Sequence, residues 1–186
     1  MKRLPLKAVL AAMLGGAALL GGAAISAPGR DIEDAPPPPS RLLSTEISGS
    51  DLAFFMGAAP RMALLAGLSE LARKRAVTPE VQAEAELVWK EQTAAAARLK
   101  ELADHLHVPL ETAPDGPGKT VLQAVGKLKG LQFDKSLLDA QGDARDLLET
   151  SLEAGAGSAD ETIKAFAEAG LETLKAERER VRKLGL

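Results

Sequence analysis

One stretch, Pro79 to His105, most constrains what this chain can fold into. At alternating spacings of four and three, Val81, Ala85, Val88, Gln92, Ala95, Leu99, Leu102 and Leu106 fall on one stripe, apolar everywhere except Gln92. Glu84, Glu86, Lys90, Glu91, Arg98, Lys100, Glu101 and Asp104 fill the other side. Apolar residues at the helical period make an amphipathic helix, with a seam of coiled-coil type that must be buried against partner helices. Aromatic residues supply only 3 % of the chain. Sheets favour β-branched and aromatic side chains, whereas helices accept Ala and Leu. The expected fold is therefore all-α.

The chain has 186 residues, enough for one domain with a real core. It has no cysteine, which excludes disulfides, thiolate metal sites, cysteine nucleophiles and a lipidated cysteine, and fits an oxidising compartment. The formal charge is −3, and removal of a leader bearing Lys2, Arg3 and Lys7 makes the remainder more acidic. That balance argues against nucleic acid as a partner.

The leader has a basic start, then an uncharged Ala/Leu/Gly run from Ala8 to Ile25. Ala24-Ile25-Ser26 places small residues where a signal peptidase reads. Residues 1–26 are thus expected to be a secretory signal peptide cut before Ala27, with export to a bacterial periplasm and no stable membrane span afterwards. The alternative is an uncleaved leader anchoring the protein in the inner membrane, since the run is long enough to cross a bilayer. Residues 27–48 are expected to be a tether. Asp31, Glu33 and Asp34 precede Pro36-Pro37-Pro38-Pro39, and four prolines make an extended, semi-rigid spacer.

Residues 49–186 are the expected helical domain. A first helix, Ser50 to Ala76, is capped by Ser50 and carries Phe54, Ala58, Leu65, Leu68 and Ala72, with Phe55, Ala59 and Met62 widening the stripe and Pro60 inside it. Thr78 caps and Pro79 opens the second helix. So short a link makes the two antiparallel neighbours. His105 and His107 end the second helix on different faces, where basic side chains suit the dipole. Glu101 is spaced to pair with His105. Pro114-Asp115-Gly116-Pro117-Gly118 lacks phosphate-loop spacing and reads as turns. A short helix, Lys119 to Lys129, is closed by Gly130. The third long helix, Gln132 to Ala154, has the seam Phe133, Leu137, Ala140 or Gln141, Ala144, Leu148, Leu152, with Gly142 weakening it or admitting another backbone. Ser158 to Glu161 forms a capping box for the last helix. Its seam of Ile163, Ala167, Gly170, Leu174, Val181 and Leu184 is broken only by Glu177. The mixed-sign tail of that helix reads as a solvated face. Two helical hairpins joined by a longer crossover make an antiparallel four-helix bundle of ferritin-like plan, with a short extra helix in the crossover.

Asp51-Leu52-Ala53-Phe54, Leu71-Ala72, Pro79-Glu80-Val81, Leu99 to Ala103, Phe133-Asp134 with Leu137 and Gln141, and Ile163 to Ala167 occur in an order that resembles the domain-of-unknown-function 4142 family. The resemblance runs from about Ser50 to Leu184, a span of ordinary domain size. It implies an exported bacterial protein with a ferritin-like four-helix fold, of a kind often labelled a membrane or outer-membrane protein. Many members carry histidines on the second, third and last helices. The aligned positions here are Gln92, Arg145 and Glu177, and no Glu-x-x-His occurs in the chain. The resemblance therefore supports the fold and undercuts inherited metal chemistry.

Gln92 and Glu177 sit on apolar seams, and Gln141 and Arg145 are one turn apart. An unpaired buried charge is costly, so these four are expected to form a core polar network, with Arg145 and Glu177 as a buried ion pair and the two glutamines closing its hydrogen bonds. The competing expectation is that Arg145 and Glu177 snorkel to solvent. A metal site would need carboxylates to converge, and Glu70, Glu91, Asp139 and Glu177 are the candidate set. No catalytic residues and no cofactor motif stand out. Serine hydrolase chemistry lacks a suitably placed histidine, while a two-carboxylate hydrolase stays open. The favoured expectation is an exported, non-catalytic bundle binding a protein or another envelope component. Its alternatives are a ferritin-like metal-binding or redox protein and a stress-protective or lipid-contacting helical protein.

Overall fold

The computed structural model describes residues 47–184. The expected signal peptide and most of the expected tether lie outside the described residues. Five helices follow one another: α1 (Gly49–Arg75), α2 (Pro79–His105), α3 (Gly116–Gly126), α4 (Gly130–Ala156) and α5 (Glu161–Leu184). No strand occurs among the described residues.

Both hairpins follow from their links. A connection of three residues, or of four, leaves no room for anything but an antiparallel return. The α1 stripe is buried from Phe54 to Ala72, Phe55, Ala59 and Met62 included. α1 is long and apolar enough to cross a membrane by length and composition, but here Phe54, Phe55, Leu65 and Leu68 are fully enclosed by the other helices. α1 packs on α2 and α4, and α5 packs on α4 and α2. The contacts set every adjacent pair antiparallel. Asp134 at the start of α4 meets Val77 and Thr78 just past the end of α1, and Glu84 near the start of α2 meets Arg180 near the end of α5. The crossover must therefore run the length of the bundle, carrying α3, which packs on α1 and α4. Arg75 fastens it by donating to the Gly126 and Leu128 carbonyls, each at 2.7 Å.

Several helix ends differ from expectation. α1 is capped by Ser48, whose Oγ accepts from the Asp51 amide at 3.1 Å, rather than by Ser50. Thr78 makes no side-chain cap. Instead Asp134 accepts from the Thr78 amide at 2.8 Å and from the Val77 amide at 3.2 Å. At α5 the capping side chain is Asp160, not Ser158. Its Oδ1 accepts from the Thr162 and Ile163 amides at 2.8 and 3.1 Å, while Ser158 Oγ accepts from the Asp160 amide. α3 starts at Gly116 because Asp115 accepts from the Gly118 amide at 2.7 Å. α2 ends at His105, and two residues on His107 takes φ 57°. There the Val108 amide reaches back to the Ala103 carbonyl, the closing bond of a Schellman turn. His105 and His107 are both exposed, and no Glu101–His105 ion pair occurs among the described residues. Gly142 has open space where a Cβ would lie, so no backbone approaches it.

Candidate functional site

The polar residues on the seams sit where the long helices face one another. Gln92 comes from α2, Arg145 from α4 and Glu177 from α5, and each is at most 2 % exposed. Period 3.6 puts Gln92 one step beyond Val88, and Glu177 one step beyond Leu174, on faces already committed to the core. Arg145 Nε donates to Glu177 Oε2 at 2.6 Å. Gln92 Nε2 donates to Glu177 Oε1 at 2.7 Å. One carboxylate thus ties three helices together, with its charge neutralised by the guanidinium. Two atoms of the cluster, Gln92 Oε1 and Arg145 Nη2, have no hydrogen-bond partner.

Gln141 does not join this cluster. Its Nε2 donates to Ser69 Oγ on α1 at 2.9 Å, and both residues are buried. One turn along α4 from Arg145, Gln141 meets α1 rather than α5.

A second polar layer lies beside the first, built from residues expected in solvent. Glu84 is only 6 % exposed. Arg180 Nε bridges both its carboxylate oxygens at 3.0 Å and reaches Glu91 Oε2 through Nη2 at 2.6 Å. Burial pushes the Glu84 carboxyl above its ordinary value. Arg180 and Arg145 pull it down and Glu177 adds to the rise, yet burial outweighs the pull. The missed signal was spacing: Glu84 lies two helical turns before Gln92, and Arg180 lies three residues after Glu177, so each shares a face with a seam residue.

The four metal candidates are not gathered into one group. Glu70 pairs with Arg73 and Lys74, which hold its carboxyl down at about 2. Glu91 pairs with Arg180, and Glu177 with Arg145. Asp139 is exposed, on the groove between α4 and α5. No group of three or more His, Cys, Asp or Glu side chains converges among the described residues.

No curated protein and no solved structure matches the chain. The family that does match is described as a domain of unknown function, DUF4142, and the match covers residues 37–184, the whole bundle and a short stretch before it. On that coverage the chain belongs to the DUF4142 family.

Proposed function

We propose that this protein is an exported helical bundle with a non-catalytic role, serving as a binding or structural component of the cell envelope. The observation that carries this reading is the state of Glu177. It is fully buried, and both its oxygens are engaged, one by Arg145 and one by Gln92. Such a carboxylate is spent on holding α2, α4 and α5 in register and is a poor ligand or proton carrier. The leader, with Lys2, Arg3 and Lys7 before an apolar run, supports export.

The test is to express the full chain, recover it from the periplasm, and load it with iron, manganese and zinc under air and without it. The expected product begins at Ala27 by mass spectrometry and holds no metal in stoichiometric amount. Stoichiometric metal that is lost in Glu177→Ala would overturn the reading and favour a metal-binding protein. Retention in the cytoplasm would overturn export.

A further inference from the structure

The end of the bundle where α1 stops and α4 starts differs from the other. Leu131 is 73 % exposed there, the most of any large apolar side chain among the described residues, and Val77 is 54 % exposed. Bonds already described hold both at this end. The Asp134 carboxylate binds the Val77 amide, and Leu131 lies one turn before Asp134 on α4. From α1, Arg75 reaches the Gly126 and Leu128 carbonyls and lies over the Phe133 ring.

The charge around these two side chains is positive on balance. Residues 70–80 and 126–135 hold six Lys and Arg and three carboxylates. Of the carboxylates, Glu70 is matched by Arg73 and Lys74, and Asp134 is buried. Glu80 is the exposed one. Against it stand Arg75, whose partners are neutral, and Lys127, Lys129 and Lys135, all exposed. The lysine ion pairs among the described residues are at Lys74, Lys90, Lys100 and Lys175, so these three lysines keep their charge unpaired. The next carboxylate along α4, Asp139, lies two turns behind Leu131. α4 also opens here with no side-chain cap and no acid in its first turn, so the positive end of its dipole adds to the field. The opposite end lies about 40 Å away along the 27 residues of α1. It exposes Glu101, Asp104, Glu153 and Glu161, with Lys100 and Lys164 beside them.

We propose that the basic tip docks on an anionic lipid bilayer, with Leu131 and Val77 set into the headgroup boundary and Arg75, Lys127, Lys129 and Lys135 on the lipid phosphates. A soluble polyanion would use the cations and leave the two aliphatic side chains in water. A neutral apolar partner would cover the side chains and leave the cations unmatched. An anionic bilayer surface meets both. The proposal rests on the envelope-binding role given above and names the partner.

The experiment uses the protein recovered from the periplasm, its N-terminus read by mass spectrometry, and vesicles of equal parts phosphatidylcholine and phosphatidylglycerol. The chain has no cysteine. Gln132→Cys and Ala159→Cys, both at exposed positions, therefore each carry one polarity-sensitive dye, at the basic tip and at the acidic end. The tip dye is expected to shift to the blue on these vesicles and the far dye to stay unchanged. Binding, read by cosedimentation, is expected to weaken about tenfold or more on phosphatidylcholine alone, and to fall with added salt. Lys127→Gln, Lys129→Gln and Lys135→Gln together are expected to weaken it by about fivefold per lysine. Leu131→Ser is expected to weaken it about tenfold. Circular-dichroism melts check that each variant is folded. A silent tip dye, equal binding to phosphatidylcholine, or full binding by the lysine variant overturns the proposal. Full binding by Leu131→Ser overturns it too and assigns the tip to a soluble polyanion. Recovery in the cytoplasm overturns the export reading alone, because the tip dye reports the same contact in a chain purified from there.

Discussion

Glu177 is a charge with no exposure to water, and its energetics follow from that. Taking a carboxylate out of water costs several kcal/mol, roughly repaid by the Arg145 guanidinium and the Gln92 amide. Removing one partner strands the other. Arg145→Met or Glu177→Leu alone should each destabilise the fold by about 3–5 kcal/mol in urea denaturation. The double variant removes both charges and should recover most of the loss. A coupling of roughly 2 kcal/mol or more across the cycle is the expected result, and additive losses would show that the two charges do not act together. Gln92 and Glu177 could be found from the sequence because each breaks an otherwise apolar period. Arg145 was reached only by aligning it with positions that the family resemblance marks. Ser69, the partner of Gln141, carried no signal, since a small hydroxyl fits either face of a helix. Glu84 and Arg180 were missed because a charge among charges looks solvated until the neighbouring helix is in place.

Helices are where sequence periodicity is most informative, and the five expected helices are present with ends shifted by a few residues. The shifts come from caps that act across the fold. Asp134 serves the α1–α2 link from 56 residues further along the chain, and no local pattern can announce that. Asp134→Ala should cost about 1–2 kcal/mol by leaving two link amides without their acceptor, measured as a lowered urea midpoint with unchanged slope. The glycines of α4 separate in the same way. Gly142 faces open space, so Gly142→Ala should stabilise by up to about 1 kcal/mol through helix propensity. Gly155 lies where a Cβ would come within 2.6 Å of the Phe54 ring and 3.0 Å of Ala167. Gly155→Ala should destabilise by about 1–3 kcal/mol as that ring is displaced. Thermal melts of the two variants should move in opposite directions, although a propensity table ranks the changes as equal.

For the whole molecule, two sets of carboxylates respond to pH in opposite senses. Glu70, Glu86, Glu149, Glu179 and Asp160 are held below their ordinary values, chiefly by hydrogen bonds from neighbouring side chains. Their support is present above the unfolded-chain range and is lost as pH falls through the folded values. Glu84 is raised, first by burial. It favours the folded state when protonated, and that contribution is lost as pH rises from the unfolded value of about 4.3 through the folded one. Glu84→Gln removes this opposing trend, so its stability relative to the unmodified chain should improve between about pH 4 and neutrality. Urea midpoints of both proteins across that range check it, and a constant difference would show that burial does not control this group. The long crossover has a consequence of another kind. α1 with α2, and α4 with α5, are each a hairpin whose apolar face is covered chiefly by the other hairpin, with α3 laid on α1 and α4. The segment between α2 and α3 is largely exposed, at Pro109 and from Glu111 to Ala113. Cut there, the chain should behave as a two-piece kit: halves produced separately should find each other and rebuild one helical unit. Gln92 rides on the first half, Arg145 and Glu177 on the second, so their meeting works as a key that admits the right counterpart and rejects a duplicate of either half.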